Sequence, residues 1–396
     1  MKFQTKALHT PYPRKDAYGA LAMPVYHCCA YEFPDHQAMI DSFTQQSDDP
    51  DYSRVTNPTV INLEGIIRNL ADAKEVVAFS SGMAAISAAV MAVAAAGKRI
   101  VTSKHLFGNT FLLLTRTLKR FGVETVLVDL TNPEEVKAAL TPDTCCIYLE
   151  TITNPQMEVA DVRVLSELAH SVGAALIADT TMIPFLYVDS RSLGIDVEIL
   201  SSTKYLSGGA TSLGGIVIDY GSIEGFSDAL RKDLLMNLGA YMTPHAAYMQ
   251  TLGLETLDAR YSVQEANALN IALELSERDD IEVCYPGLPD NPYHTFCRDQ
   301  YGGRFGCMMT LTLPSEEACF RFIDELQLVK RATNLFDNKT LAIHPHSTIF
   351  GTIDRETRSR MDVSERLIRL SIGLEDAEDI IADLNRAIDM AVGKNE

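Results

Sequence analysis

Asp196-Val197-Glu198-Ile199-Leu200-Ser201-Ser202-Thr203-Lys204-Tyr205 runs from a β-rich stretch into a polar loop, and the glycine-rich Gly208-Gly209-Ala210-Thr211-Ser212-Leu213-Gly214-Gly215 follows it. The same unit recurs upstream: a short apolar strand, a polar turn, then a helix. Strands are expected at Glu75 to Phe79, Arg99 to Ser103, Val123 to Val128, Cys145 to Glu150, Ala174 to Asp179, Val197 to Ser201 and Gly215 to Ile218. Helices are expected from Asn57-Pro58 to Leu70, after Ser81-Gly82-Met83, from about Asn109, from Asn132-Pro133 and from Asp161 to Val172. The two Asn-Pro pairs supply an N-cap and a first-turn proline. Strands alternating with helices imply an α/β fold, a mainly parallel sheet of about seven strands flanked by helices.

The chain changes character at both ends of this region. Residues 1 to about 50 read as irregular, with Pro11, Pro13, Pro24 and Pro34 spaced through them. So long an arm needs a neighbouring surface to lie on. Thr44 to Pro50 reads as its mobile end. Past Pro244 the pattern turns to long helices from Ala246 to about Leu275. A strand at Met308 to Leu313 and helices at Glu316 to Leu326 and Ala377 to Met390 complete a smaller α+β unit. The expected division is an arm (1–56), a large α/β domain (57–244) and a C-terminal α+β domain (245–396).

Composition narrows the function. The chain has 396 residues, 46% hydrophobic and 22% charged, in the range of ordinary soluble globular proteins. A net charge of -19 argues against a nucleic-acid partner. The most apolar segment, Met83 to Ala96, is too short to span a bilayer. The start of the chain lacks the apolar stretch of a signal peptide, so a cytoplasmic location and no membrane partner are expected. Eight cysteines include no C-x-x-C pair. Reduced core thiols are therefore expected, with neither zinc site nor disulfide framework. His344-Pro345-His346 reads as a turn, and no metal is expected.

Several polar residues fall where an α/β sheet binds ligands, at the carboxyl ends of strands. Lys204 can form a Schiff base with an aldehyde cofactor, or be a surface lysine on a loop. Ser81-Gly82-Met83 opens a helix, where unpaired N–H groups suit a phosphate, although Ser81 can equally be a plain N-cap. Asp179 emerges from a buried strand and needs a cation or several donors; a turn cap is the alternative. Asn154, in Asn154-Pro155, can bond a ligand hydroxyl or merely form a turn. Arg369, in the apolar run Ile368 to Ile372, suits a bidentate grip on a carboxylate, or a structural ion pair. Ser201-Ser202-Thr203-Lys204 also fits S-x-x-K, but the S-D-N and K-T-G motifs of that chemistry are missing.

As a set, these residues resemble the Cys/Met-metabolism family of pyridoxal-phosphate enzymes, of fold type I. The resemblance covers Gly19 to Tyr26, Tyr52-Ser53-Arg54-Val55-Thr56-Asn57-Pro58-Thr59, Ser80-Ser81-Gly82-Met83, Glu150 to Asp161, Asp179 to Gly209 and Arg369 to Asp376. It implies pyridoxal 5'-phosphate as cofactor, with Lys204 linked to it and then shuttling protons. It further implies that Asp179 pairs with the pyridine nitrogen and Asn154 with the ring hydroxyl. Ser81, Gly82, Met83, Ser201 and Thr203 would hold the phosphate, joined by Tyr52 and Arg54 from a neighbouring subunit. Arg369 would hold the substrate carboxylate, helped by Asn334. An active site shared in this way requires a homodimer or homotetramer.

The chain departs from the family pattern at informative places. Phe107 stands where a tyrosine usually stacks on the ring, so it can stack but cannot transfer a proton. That favours a substrate whose leaving group needs little acid help, with Tyr52 as an alternative acid. Phe336 stands where glycine is usual near the substrate carboxylate, and an altered pocket is expected. The resemblance then implies γ-replacement on an O-acyl-L-homoserine by sulfide or a thiol. The alternatives are γ-elimination from methionine or cystathionine, and a non-catalytic relative.

Overall fold

Seven strands form the larger sheet: β1 (Glu75–Phe79), β2 (Arg99–Ser103), β3 (Glu124–Val128), β4 (Thr144–Glu150), β5 (Ala175–Asp179), β6 (Val197–Leu200) and β7 (Gly215–Asp219). The computed structural model describes residues 2–10 and 18–393, so the expectations for Pro11 and Pro13 lie outside the described residues. The strand order is β1-β7-β6-β5-β4-β2-β3, parallel throughout except at β7, which runs antiparallel to both neighbours. This matches the expected mainly parallel sheet. Because the sheet is covered on both faces, its strands are apolar without a polar side. Alternate residues instead feed two separate cores. Ile147, Leu149, Leu176 and Ala178 join one; Cys146, Tyr148, Ile177 and Ile199 join the other.

A second sheet follows, of β8 (Glu282–Cys284), β9 (Met308–Thr312), β10 (Lys330–Arg331), β11 (Leu341–Ile343) and β12 (Leu367–Ser371), in the order β10-β11-β12-β9-β8. It is antiparallel apart from β10 with β11. Helices Glu316–Glu325 and Ala377–Val392 pack on it through Phe322, Ile380, Leu384 and Ile388. Its third strand, β12, carries Arg369, and so brings a residue from late in the chain to the edge of the first sheet.

Two expectations are corrected. The arm is not irregular throughout: helices Phe3–His9 and His36–Phe43 interrupt it. The second is started by Asp35, whose side chain accepts from the Ala38 N–H at 2.9 Å. The long helices expected past Pro244 are Pro244–Glu255 and Leu257–Ser276. Arg260 explains the break between them, since its Nη2 donates both to the Gly253 carbonyl and to that of Tyr205. Finally, all eight cysteines are free thiols, but Cys28 and Cys29 are exposed rather than core. The His344 turn is borne out, with ring nitrogens bonded to Ser347 Oγ and the Glu365 carbonyl. Among the described residues no helix is long and apolar enough to cross a membrane.

The buried Glu64 carboxylate fastens helix Pro58–Ala71 to the sheet. It accepts from the Ala78 N–H at 2.8 Å and from Arg231 Nη2 at 2.9 Å. Breaking a buried pair from one side leaves an uncompensated charge. Arg231→Ala should therefore lower the unfolding free energy by about 3 kcal/mol in chemical denaturation. A double Arg231→Met, Glu64→Gln variant should recover a large part of that loss.

Candidate active site

The parallel strands end along one edge, and their last residues gather the site. Glu150 and Asp179 end β4 and β5 directly opposite one another in register. Both are buried. Asp179 accepts from the Thr181 N–H at 2.9 Å and from Tyr148 Oη at 3.3 Å. Burial raises its pKa, and the Thr181 and Tyr148 hydrogen bonds oppose that rise, as does the charge of Lys204. Glu150 accepts from the N–H of Phe107 at 2.7 Å and of Asn154 at 3.3 Å. Burial, with the adjacent Asp179 charge, pushes the Glu150 carboxyl up to about 8, so it holds a proton at neutral pH. Glu150 thus fixes two of the residues singled out in the sequence by gripping their backbones.

The loop after β6 is held on both sides. Ser201 N–H donates to Thr181 Oγ1 at 2.8 Å. Thr203 Oγ1 donates to the Gly214 carbonyl and accepts its N–H, at 3.1 and 3.0 Å. That hydroxyl is therefore spent on the loop itself. Lys204 is left projecting, with Nζ donating to Asn334 Oδ1 at 2.7 Å. Burial first, then the positive charge of Arg369, lowers the Lys204 amine to about 8. A larger fraction of the amine is therefore unprotonated near neutral pH, and so available to attack a carbonyl or accept a proton.

Arg369 is 2% exposed. Its Nη2 donates to the carbonyls of Thr333 and Asn334 at 2.8 and 3.3 Å, and its Nη1 to Asn154 Oδ1 at 3.2 Å. Its Nε has no partner, and burial lowers the guanidinium to about 9. A buried guanidinium with no carboxylate is short of one anion. The segment carrying Asn334 is set by Phe336, which sits at φ +55° and is fully buried. Its ring stacks on Tyr205, next to Lys204, with centroids 4.0 Å apart and planes 18° from parallel. Its N–H donates to Ser371 Oγ at 2.7 Å. The Phe336 ring thus lies in the core and braces the lysine loop.

Helix Gly82–Val93 begins at the same edge. Ser81 is its N-cap, accepting from the Ala84 N–H at 3.1 Å. Gly82 and Met83 then present N–H groups ahead of the first intrahelical acceptors. A Cβ on Gly82 would lie 2.7 Å from Ser201 Cβ, so only glycine permits this approach. The resulting notch of backbone N–H groups and the Ser201 hydroxyl suits an anion. Phe107 caps the start of helix Gly108–Leu112 and is partly buried.

The structure brings Lys204, Asn334, Arg369 and Asn154 into one hydrogen-bonded chain, beside Asp179. It does not bring in Tyr52 and Arg54. Arg54 lies 5.4 Å from the Tyr52 ring and donates to the Met236 carbonyl. Tyr52 is 43% exposed. The sequence offers Glu150 only as the last residue of an expected strand, and gives Thr181 and Tyr148 no part in the site. Of the three, Glu150 alone carried a signal, as an acid ending an apolar strand.

The sequence profile of the Cys/Met metabolism PLP-dependent enzymes matches residues 4–389, and the chain belongs to that family. It is 34% identical to the L-methionine gamma-lyase of Porphyromonas gingivalis, over 98% of each chain. It is 36% identical to the O-succinylhomoserine sulfhydrylase of Pseudomonas aeruginosa, over 85% of this chain and 83% of that one. The fold matches the crystal structure of an O-acetylhomoserine (thiol)-lyase from Campylobacter jejuni with a TM-score of 0.94, at 29% identity, covering 98% of this chain and all of that one. That structure contains N'-pyridoxyl-lysine-5'-monophosphate. The chain is accordingly a PLP-dependent enzyme of sulfur amino-acid metabolism, a lyase or sulfhydrylase. Its residues fit the cofactor: an anion notch at Gly82, a buried carboxylate at Asp179 and a lysine of lowered pKa between them and a guanidinium lacking its anion.

Two outcomes test this geometry. Replacing Arg369 by Leu removes a positive neighbour, so the Lys204 pKa should rise above about 8. The pH at which recombination of apoenzyme with pyridoxal phosphate reaches half its maximal rate should rise with it. Gly82→Ala should weaken pyridoxal-phosphate binding by at least about 10-fold, about 1.4 kcal/mol.

Proposed function

We propose that the enzyme catalyses γ-replacement on an O-acyl-L-homoserine, with sulfide or a thiol as the incoming nucleophile. The observation that carries this reading is Phe107, which offers a ring and no proton. When bound, pyridoxal phosphate supplies an electron sink for the pair left at the substrate Cα. Everything else in the reaction is proton handling and orientation by the chain. Arg369 binds the substrate carboxylate through the guanidinium edge that lacks a partner. Asn334 aims the Lys204 amine, whose pKa of about 8 lets it both take and return protons near neutrality. Lys204 removes the Cα proton and then serves Cβ, after which the group on Cγ departs.

The departing group decides between substrates. A carboxylate leaves as a base of pKa about 4, a thiolate as one of about 8.5. The difference, about 4.5 units, is worth about 6 kcal/mol of acid assistance. Without a hydroxyl at position 107, an ester is the substrate that departs unaided. Asp179 holds the pyridine nitrogen, Asn154 the ring hydroxyl, and Gly82, Met83 and the Ser201 hydroxyl the phosphate. Tyr52 and Arg54, which make no hydrogen bond to Lys204 of their own chain among the described contacts, serve the site of a neighbouring copy in a homodimer or homotetramer.

A second reading, γ-elimination from methionine, is favoured by the 34% identity to a methionine gamma-lyase along nearly the whole chain. It requires another acid, for which Tyr52 of a neighbouring copy is the candidate. Incubation with O-acetylhomoserine and sulfide should yield homocysteine and acetate. Methionine alone should yield little methanethiol or 2-oxo acid; a reversed outcome establishes elimination instead. Phe107→Tyr should raise methionine cleavage by about 10-fold or more, in line with one added acid catalyst.

A further inference from the structure

His105 is 7% exposed, and both of its ring nitrogens face carboxylates. Nδ1 lies 2.5 Å from Glu158 Oε2 and Nε2 lies 2.8 Å from Asp362 Oδ2. Lys104 Nζ is 2.6 Å from the same Asp362 oxygen. A neutral imidazole has one donor, so it would set a ring lone pair against one of these carboxylates. The imidazolium satisfies both, and with Lys104 it makes a neutral group of four charges.

The partners come from three segments, and each leads to a site residue. His105 stands two residues before Phe107, and its N–H is itself fixed by Ser103 Oγ at 2.9 Å. Glu158 closes the loop that holds Asn154, through Thr153: Thr153 N–H donates to the Glu158 carbonyl and Glu158 N–H to Thr153 Oγ1, each at 3.0 Å. Asp362, at φ +50°, lies between the buried Met361 and Val363, shortly before β12 and Arg369. Gln156 Nε2 adds a second tie to this segment by donating to the Met361 carbonyl at 2.7 Å.

We propose that His105, as an imidazolium, is a positioning residue that pins together the three segments carrying Phe107, Asn154 and Arg369. Its importance for catalysis rests on the reaction proposed above; the pin itself does not. Burial alone would lower the pKa of His105, but its hydrogen bonds to Glu158 and Asp362 and their charges raise it above the ordinary value. The other charged or titratable groups nearby are Lys104 and, farther off, Asp129, Tyr293 and Cys284. A raised folded-state value means the tie is fully present below the unfolded imidazole range and is lost as pH rises through the folded value.

Hydrogen–deuterium exchange of the holoenzyme, followed by mass spectrometry from about pH 6 to about pH 9, reads the pin directly, with peptides from β5 as the internal reference. In the wild type, peptides covering 104–107, 153–158 and 361–363 should speed up together, by about 10-fold relative to β5, through one pH midpoint. His105→Gln should show the fast rates at every pH. Glu158→Gln should keep the transition but move its midpoint to lower pH, which also serves if His105→Gln does not fold. Segments that respond separately, or an unshifted midpoint in Glu158→Gln, would overturn the pin. Turnover of O-acetylhomoserine with sulfide is followed in parallel. Turnover without the exchange response overturns the pin alone, and the exchange response without turnover overturns the proposed reaction alone.

Discussion

Two positive charges, a buried Arg369 and a partly buried Lys204, meet at Asn334 between the two sheets. Among the described residues no acid forms an ion pair with the guanidinium, and its Nε has no partner at all. Such an arrangement is expensive unless an anionic ligand completes it. Burial and the guanidinium both act against the cationic form of the lysine, and so lower the cost of deprotonating it. The pocket is thereby biased toward an amine that is neutral for part of the time and a guanidinium that waits for a carboxylate.

The acidic side of the pocket is arranged in the opposite sense. Glu150 and Asp179 lie side by side in register, and two adjacent buried carboxylates do not both ionise cheaply. Here the proton stays on Glu150, which is pushed to about 8. Asp179 has the Thr181 N–H and Tyr148 hydroxyl as donors and the positive charge of Lys204 nearby. One carboxyl is thus a neutral brace for the backbones of Phe107 and Asn154, and the other is the one whose donors and nearby cation oppose the upward push of burial.

Much of this was legible in the sequence because strand ends in an α/β sheet share an edge. Ser81, Glu150, Asp179 and Ser201 each follow a short apolar run, so one rule of architecture gathers them. Arg369 was legible for a different reason, as a cation in a strand with no visible use. What the sequence hid depends on contacts between distant segments. Thr203 reads as a phosphate ligand by position, yet its hydroxyl is taken up by Gly214, which lies eleven residues on. The break at Thr256 follows from Arg260 reaching the Tyr205 carbonyl, which no helical periodicity reports. Helix His36–Phe43 has an ordinary cap in Asp35, but the spaced prolines of the arm mask it. Short strands such as Lys330–Arg331 carry too few residues to show an alternation.

Phe336 has a consequence for how this protein can change over generations. Its left-handed backbone costs about 1–2 kcal/mol that glycine would not incur. Its ring, stacked on Tyr205 and wholly enclosed, would leave a cavity costing about 3–5 kcal/mol if removed. A single step back to glycine therefore loses more than it recovers, and it loosens the residue beside Lys204. The position behaves as a ratchet: glycine is accessible here only together with a second, compensating substitution in the core around Tyr205.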